Sequence, residues 1–311
     1  MYRTTAPRSG ARTPSRTVRH ALAGVMAGVV SAAGLLFAGA GPASAAPVTV
    51  SEASLAWGLS GEQGGGAYYG GCNFLSAGKA GNTGSSRLWT QGDGFYATHA
   101  GNVTVQKPDS AGTYAEPGWA TKCQDPNGTA VSPGSPTSLT RNRVLLSHGT
   151  GTVDTAARTA TLKWTGSFTS VFYGGLTYWS ATDPVLKVNA DGTGTLTATA
   201  TGYGADMNDP GKWVSLPATT VTLANLKNVQ LGGSGFTATP SYLGVAVTVP
   251  GGSTAQAAKS SANQAYWGAF PQSFVDFQQL TGQSSYWFTS GGSRDAAKPA
   301  TPLTLTLPAG S

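Results

Sequence analysis

Hydrophobic and polar residues alternate most regularly between residues 141 and 202. Ala160, Leu162 and Trp164 interleave with Thr159, Thr161 and Lys163, the period of two that marks a strand with one wet face. Leu186 and Val188 lead into Asp191-Gly192, a dipeptide that tolerates the positive φ of a hairpin turn. Leu196, Ala198 and Ala200 then return between Thr195, Thr197, Thr199 and Thr201. No segment there keeps a helical period, so the pattern predicts an antiparallel meander. A short apolar segment over 49–60 opens the domain, and further strands are predicted over 102–107, 220–231, 241–250 and 302–307. In the third of these Leu243, Val245, Val247 and Val249 share a face, and in the last Leu303, Leu305 and Leu307 point inward. Prolines at 108, 117, 126, 133 and 136 make 108–140 a long loop, with further loops over 203–217 and 251–264. One helix is predicted after Pro271. Ser273 would be its N-cap with Asp276 three residues on, Phe274, Phe277 and Leu280 would lie on one side, and Gly282 would close it. The implied fold class is all-β: an antiparallel, sandwich-like single domain with one short helix near its C-terminal end.

The first residues read differently. Arg3, Arg8, Arg12, Arg16 and Arg19 precede a mostly apolar run, and Ala43-Ser44-Ala45 supplies a small-x-small cleavage site. Residues 1–45 are therefore predicted to be a secretory signal peptide, and 46–311 the exported domain. No second apolar span follows, so no transmembrane anchor is expected in the mature chain, which would be secreted or held at the cell surface by a partner. Export also changes the charge. Five of the 19 Lys and Arg leave with the leader and none of the 13 Asp and Glu, which leaves 14 against 13, a net of +1. With no basic aromatic stripe, that balance gives no reason to expect nucleic acid.

Cys72 and Cys123 are the only cysteines, and in an exported chain they are expected to form one disulfide that staples the proline-rich loop to the first strands. A metal or reactive-thiol role lacks a His-rich partner set. Just before Cys72, Gly64 to Gly66, Gly70 and Gly71 surround Tyr68 and Tyr69. Glycine at that density makes either a flexible turn or a wall on which phenols are presented to a ligand. Trp57, Trp164, Trp179, Trp267 and Trp287 read as core and rim aromatics.

Enzyme chemistry is poorly provided for. Only His99 and His148 remain after the leader, and neither G-x-S-x-G nor H-E-x-x-H occurs. Asp183, Asp206, Asp209 and Asp276 could supply a carboxylate pair, but nothing in their spacing brings two together, and Asp183-Pro184 and Asp209-Pro210 read as turns. A binding protein is expected rather than an enzyme.

Three blocks carry a resemblance: WGLSGEQGGGAYYGGCNFLSAG, HGTGTVDTAARTATLKWTGSFTSVFYGGLTYWSATDPVLKVNADGTGTLTA and WGAFPQSFVDFQQLTGQSSYWFTSGGSRDAAKPATPLTLTL. In content and order they resemble the HtaA domain, an actinobacterial surface and secreted domain whose best-known members bind haem, over about residues 53–307. The resemblance implies haem as the cofactor, ligated by a tyrosine near the opening W-G block. That tyrosine falls here on Tyr69 or Tyr68, Tyr69 being the first candidate for the haem iron. A phenolate is a hard anionic donor suited to ferric iron. It also implies a supporting histidine, which falls on or beside His148, the ungapped match being Gly149. A further tyrosine of the terminal helix is replaced by Gln278. The expected role is haem capture or relay at the cell surface, with haem or a haem-carrying protein as partner. A haem-free, wall-associated binding or adhesion module on the same fold is the alternative.

Overall fold

The computed structural model describes residues 46–309 except Met207, Pro210 and Gly252, so the expected leader lies outside the described residues. The chain opens with the long strand β1 (Val48–Trp57). The short strands β2 (Gly66–Ala67), β3 (Gly71–Cys72), β4 (Phe74–Ala77), β5 (His99–Ala100), β6 (Val103–Pro108) and β7 (Tyr114–Ala115) come next. The meander is β8 (Arg143–Asp154), β9 (Thr159–Lys163), β10 (Ser167–Phe172), β11 (Thr177–Val188) and β12 (Gly194–Ala205). After it come β13 (Trp213–Ser215), β14 (Thr219–Leu226), β15 (Gly235–Ala238), the helix α1 (Gln272–Leu280) and β16 (Leu303–Thr306). All strand pairings among the described residues are antiparallel, so the domain is all-β and sandwich-like, with one short α-helix.

Alternation in the sequence becomes alternation of burial. Along β12, Gly194, Leu196, Ala198, Ala200 and Gly202 are buried, and the threonines between them are half-exposed. The sheet runs β13-β12-β11-β9-β8-β1-β16-β15 and divides at β11. The first half of β11 pairs with β10, the second half with β9, and a register shift between Thr182 and Val185 separates them. Asp183 sits at that break with φ 50, and its Oδ1 accepts from the Gly166 N–H at 2.9 Å. The Asp-Pro pair expected as a turn is thus a bulge inside a strand, where an extra residue bends the ladder and re-aims the chain beyond it.

Trp164, Trp179 and Trp287 are fully buried, and Trp57 nearly so. Phe274 of α1 packs edge-on against Trp287 at 4.7 Å and Trp179 at 4.9 Å between ring centroids, the geometry that aromatic quadrupoles favour. The final strand buries Leu303 and Leu305, as its alternation predicts. The expected disulfide is present: Cys72 and Cys123 are bonded, with Cα atoms 5.5 Å apart. Closing a loop of that separation is worth about 4 kcal/mol in the chain-entropy picture.

Three local expectations are corrected. Residues 241–250 form no strand. Val245, Val247 and Val249 pack on the core, but glutamine side chains take the backbone groups: Gln256 Oε1 accepts from Val247 N–H at 3.0 Å, and Gln272 Oε1 from Thr248 N–H at 2.9 Å. Residues 203–217 are not all loop, because β12 runs on to Ala205 and pairs with β13. Helix α1 begins two residues early, with Pro271 at the cap position; the Ser273 hydroxyl instead accepts from Thr222 N–H at 3.0 Å. Leu280 lies exposed, and Gln278 takes the buried position among the helix's apolar residues.

Candidate functional site

The segment after β1 turns sharply at Gly61–Gly65, then runs out and back as the β2–β3 hairpin, in which Gly66 pairs with Cys72 and Ala67 with Gly71. Tyr68 and Tyr69 occupy its tip, 74% and 67% exposed. In a chain with this little surface charge, two adjacent exposed phenols are its most conspicuous presented groups. The hairpin leans on the turn after β10 because two glycines allow it. A Cβ on Gly70 would stand 2.5 Å from Gly174 Cα, and one on Gly174 would stand 2.5 Å from Gly70 Cα. No other residue permits that approach.

The contact sets Tyr68 over a groove of about 240 Å³, whose walls include Glu62, Asn73, Tyr173, Tyr286, Arg294 and Lys298. Of the two phenols, Tyr68 lines the groove and Tyr69 does not. Tyr286 packs on Phe172 at 4.4 Å and on Tyr173 at 5.7 Å. Burial, with a side-chain hydrogen bond to Tyr173 second, holds its phenol far above the ordinary range, so Tyr286 stays protonated at any physiological pH. Asn73 braces the groove from beneath. Its Nδ2 donates to Glu62 O at 2.9 Å and its Oδ1 accepts from Tyr173 N–H at 3.0 Å, tying the opening loop to the Tyr173 turn.

Two ion pairs hold the frame rather than face a ligand. Arg294 Nε donates to Glu62 Oε2 at 2.7 Å, and its Nη1 donates to the carbonyls of Pro133 and Ser135 at 3.2 and 2.8 Å. Burial pushes the Glu62 carboxyl above its ordinary value of 4.5, against the lowering effect of Arg294. Lys298 Nζ donates to Ser285 O at 2.7 Å, Ser290 Oγ at 2.7 Å and Asp295 Oδ1 at 2.5 Å, and burial lowers its pKa. Asp295 Oδ2 in turn accepts from Gly291 N–H at 2.7 Å. Lys298 is therefore spent inside the protein, while Arg294 keeps one buried nitrogen, Nη2, without a partner among the described residues.

His148 shares neither a hydrogen bond nor this groove with Tyr68 or Tyr69. It sits where the β1–β8 register shifts, with φ 56, and its Nδ1 lies 2.7 Å from Glu52 Oε2 in a pair about 60% exposed on both sides. Gly149, the next residue, faces inward. A Cβ there would meet Trp164 Nε1 at 2.3 Å, because the Trp164 indole fills that space while donating to Ala53 O at 3.0 Å. A tryptophan thus stands where an imidazole at position 149 would project. Gln278 is fully buried beneath α1, its Oε1 accepting from Thr281 Oγ1 at 2.9 Å.

Sequence reasoning singled out Tyr68, which lines the groove, and Tyr69, which does not, and it missed the rest of the groove, since Tyr173, Tyr286, Arg294 and Lys298 lie more than a hundred residues further on. One signal was available. Glu62 is a charge inside a glycine-rich turn of a chain that is only 10% charged, which marks it for pairing.

Haem is the group that the sequence resemblance implies, and the donors can be tested against it. The exposed Tyr68 phenol, with two further tyrosine rings on the same wall, fits ligation by an anionic oxygen. The Tyr–His pairing does not fit, because His148 is committed to Glu52 outside the groove. Among the described residues, no group of three or more His, Cys, Asp or Glu is placed to hold a metal ion. No helix among them is long and apolar enough to cross a membrane.

No family model matches the chain, and no curated protein does. Among solved structures, the crystal structure of the C-terminal domain of HtaA from Corynebacterium glutamicum is similar to it. The identity is 15% and the TM-score 0.36, over 83% of this chain and 97% of that one. A likeness at that level establishes neither family nor function.

Proposed function

We propose that this chain is an exported, non-catalytic binding domain that captures haem at the Tyr68 groove, for uptake or relay at the cell surface. The observation that carries the reading is the exposed Tyr68 phenol on the wall of a groove shared with Tyr173 and Tyr286. Tyr68 is the residue that would hold the iron, with Tyr69 beside it at the hairpin tip. Ferric iron, when bound, supplies the positive charge that keeps a phenol deprotonated near neutral pH. Tyr286, held protonated by burial, keeps its ring as an apolar wall and does not compete as a ligand. Gly70 against Gly174 fixes where the phenol is presented, and the Glu62–Arg294 pair holds the loop beneath it. Haemin titration of the purified, oxidised protein is expected to give a Soret shift, weakened at least about tenfold in Tyr68→Ala and unchanged in His148→Ala. No spectral change in the wild type, or full binding by Tyr68→Ala, would refute it.

A second reading has its own support. The groove, at about 240 Å³, falls below the roughly 300–1,000 Å³ of pockets that bury most of a small ligand. Its ligand therefore lies largely on the surface, as a glycan strand of the cell wall would, against the two exposed tyrosines. This haem-free surface module predicts co-sedimentation with purified wall fragments, lost in the Tyr68→Ala, Tyr69→Ala double variant. Protein that stays in the supernatant would count against it.

A further inference from the structure

A second groove, of about 410 Å³, shares no lining residue with the first. The turn after β1 separates them: Gly61 and Gly64 line one, Glu62 and Gly66 the other. Trp57, Leu139 and Pro302 give the second groove apolar lining, and Arg141, Arg143 and Tyr114 stand at its mouth.

The two arginines stand where the chain enters β8, Arg143 as its first residue and Arg141 two residues before it, and both line the groove. Neither has a carboxylate partner among the described residues. Arg143 is half-buried, its guanidinium carbon 3.4 Å from the centroid of the Tyr114 ring and its Nε donating to Gln106 Oε1 at 3.0 Å. Burial lowers its pKa, yet a guanidinium cannot shed its proton near neutral pH, so the charge remains, with the Tyr114 ring and Gln106 as its partners and no carboxylate among the described residues. Arg141 is exposed, held at φ 55, and its side chain makes no hydrogen bond among the described residues. On the floor, the Thr301 hydroxyl is buried without a partner, beside Gly58, where a Cβ would stand 3.3 Å from that oxygen. Two cations without a carboxylate partner, an unspent hydroxyl and apolar side chains thus line one space. The adjoining cleft, which shares Leu139 and Arg141, carries Asp109 and Asp125, and their Oδ1 atoms each accept two backbone N–H groups of their own turns. A ligand's negative charge would therefore have to stay at the arginine end.

We infer that this groove binds a small amphipathic organic anion: one carboxylate or phosphate gripped by Arg141 and Arg143, carried on a ring or short apolar body lying against Trp57, Leu139 and Pro302. Planar guanidinium forks match both anions bidentately, so the head-group chemistry is shared. The test is ligand-observed NMR on the whole oxidised protein with benzoate, phenyl phosphate, inorganic phosphate and neutral benzyl alcohol. Benzoate or phenyl phosphate is expected to bind saturably and at least about tenfold more tightly than benzyl alcohol, and to weaken as salt rises. Which of the two binds better identifies the head group, and inorganic phosphate binding as well as phenyl phosphate would overturn the amphipathic part. Arg141→Asn is expected to weaken binding at least about fivefold with no loss of folding, since asparagine accepts the left-handed backbone at that position. Arg143→Lys keeps the charge but loses the fork and the stack, and is expected to weaken binding while the fold stays intact by circular dichroism. Lys163→Gln, at an exposed position that lines neither groove, is expected to change nothing. Failure of both ring anions to bind, equal binding of benzyl alcohol, or undiminished binding in Arg141→Asn would overturn the proposal. Because haemin is absent from the assay, its outcome is independent of the Tyr68 reading.

Discussion

Replacing Arg294 by methionine removes one partner of a nearly buried ion pair: the Glu62 side chain is 3% exposed and that of Arg294 13%. Glu62 would be left without its counter-charge, and the carbonyls of Pro133 and Ser135 without their donor. Breaking such a pair from one side costs about 3–5 kcal/mol. Glu62 limits the penalty, because burial already raises its pKa and it can take up a proton. We therefore expect about 3–4 kcal/mol near pH 7, a fall in melting temperature of about 6–16 °C for a domain of this size. The loss should also depend on pH. A carboxyl whose folded pKa is raised above its ordinary 4.5 binds more protons folded than unfolded, so stability falls as pH climbs from 4.5 through the folded value. Arg294→Met raises that folded value further, so its deficit relative to wild type should shrink toward about pH 4 and widen toward about pH 7. Thermal unfolding followed by circular dichroism across that range measures it. A variant melting within about 1 °C of wild type near pH 7, or a deficit that does not vary with pH, would refute the reasoning.

Other consequences are smaller or simpler. Replacing Cys72 and Cys123 together with alanine should cost about 4 kcal/mol of stability by denaturant unfolding, matched by wild type under reducing conditions. Phe274→Ala, which vacates a site between Trp179 and Trp287, should cost about 3–5 kcal/mol in the same assay. His148→Ala removes only an exposed pair with Glu52 and should change stability by less than about 1 kcal/mol. Gly174→Ala, which forces the hairpin away from the Tyr173 turn, should weaken ligand binding at Tyr68 several-fold, read by tyrosine fluorescence or by titration, whichever ligand occupies the groove.

The fold was legible where one face of a strand is wet. The meander, the inward leucines of the last strand and the phenylalanines of α1 all follow from periodicity, and the disulfide follows from there being two cysteines in a chain expected to be exported. Residues 241–250 have the same alternation without the strand: Val245, Val247 and Val249 pack on the core while Leu243 is exposed, and alternation does not report where the backbone hydrogen bonds go. There they go to Gln256 and Gln272, at a distance that no local pattern reports. Ser273 was misplaced as a cap because its hydroxyl had a better use at Thr222. At the site, the glycines around Tyr68 and Tyr69 marked a hairpin that presents phenols. The groove itself is made by long-range pairs, Gly70 with Gly174 and Glu62 with Arg294, joined only by folding. The facing of His148 turns on the two register shifts between β1 and β8 on either side of Ala53, backbone events without a residue signature.

The most direct test of the central claim is the visible and resonance Raman spectrum of the ferric haemin complex, recorded for wild type, Tyr68→Phe, Tyr69→Phe and His148→Ala. Ligation by Tyr68 predicts iron–tyrosinate bands in wild type and His148→Ala, retained in Tyr69→Phe and abolished in Tyr68→Phe. Bands that survive in Tyr68→Phe, or a wild-type complex without them, would contradict it.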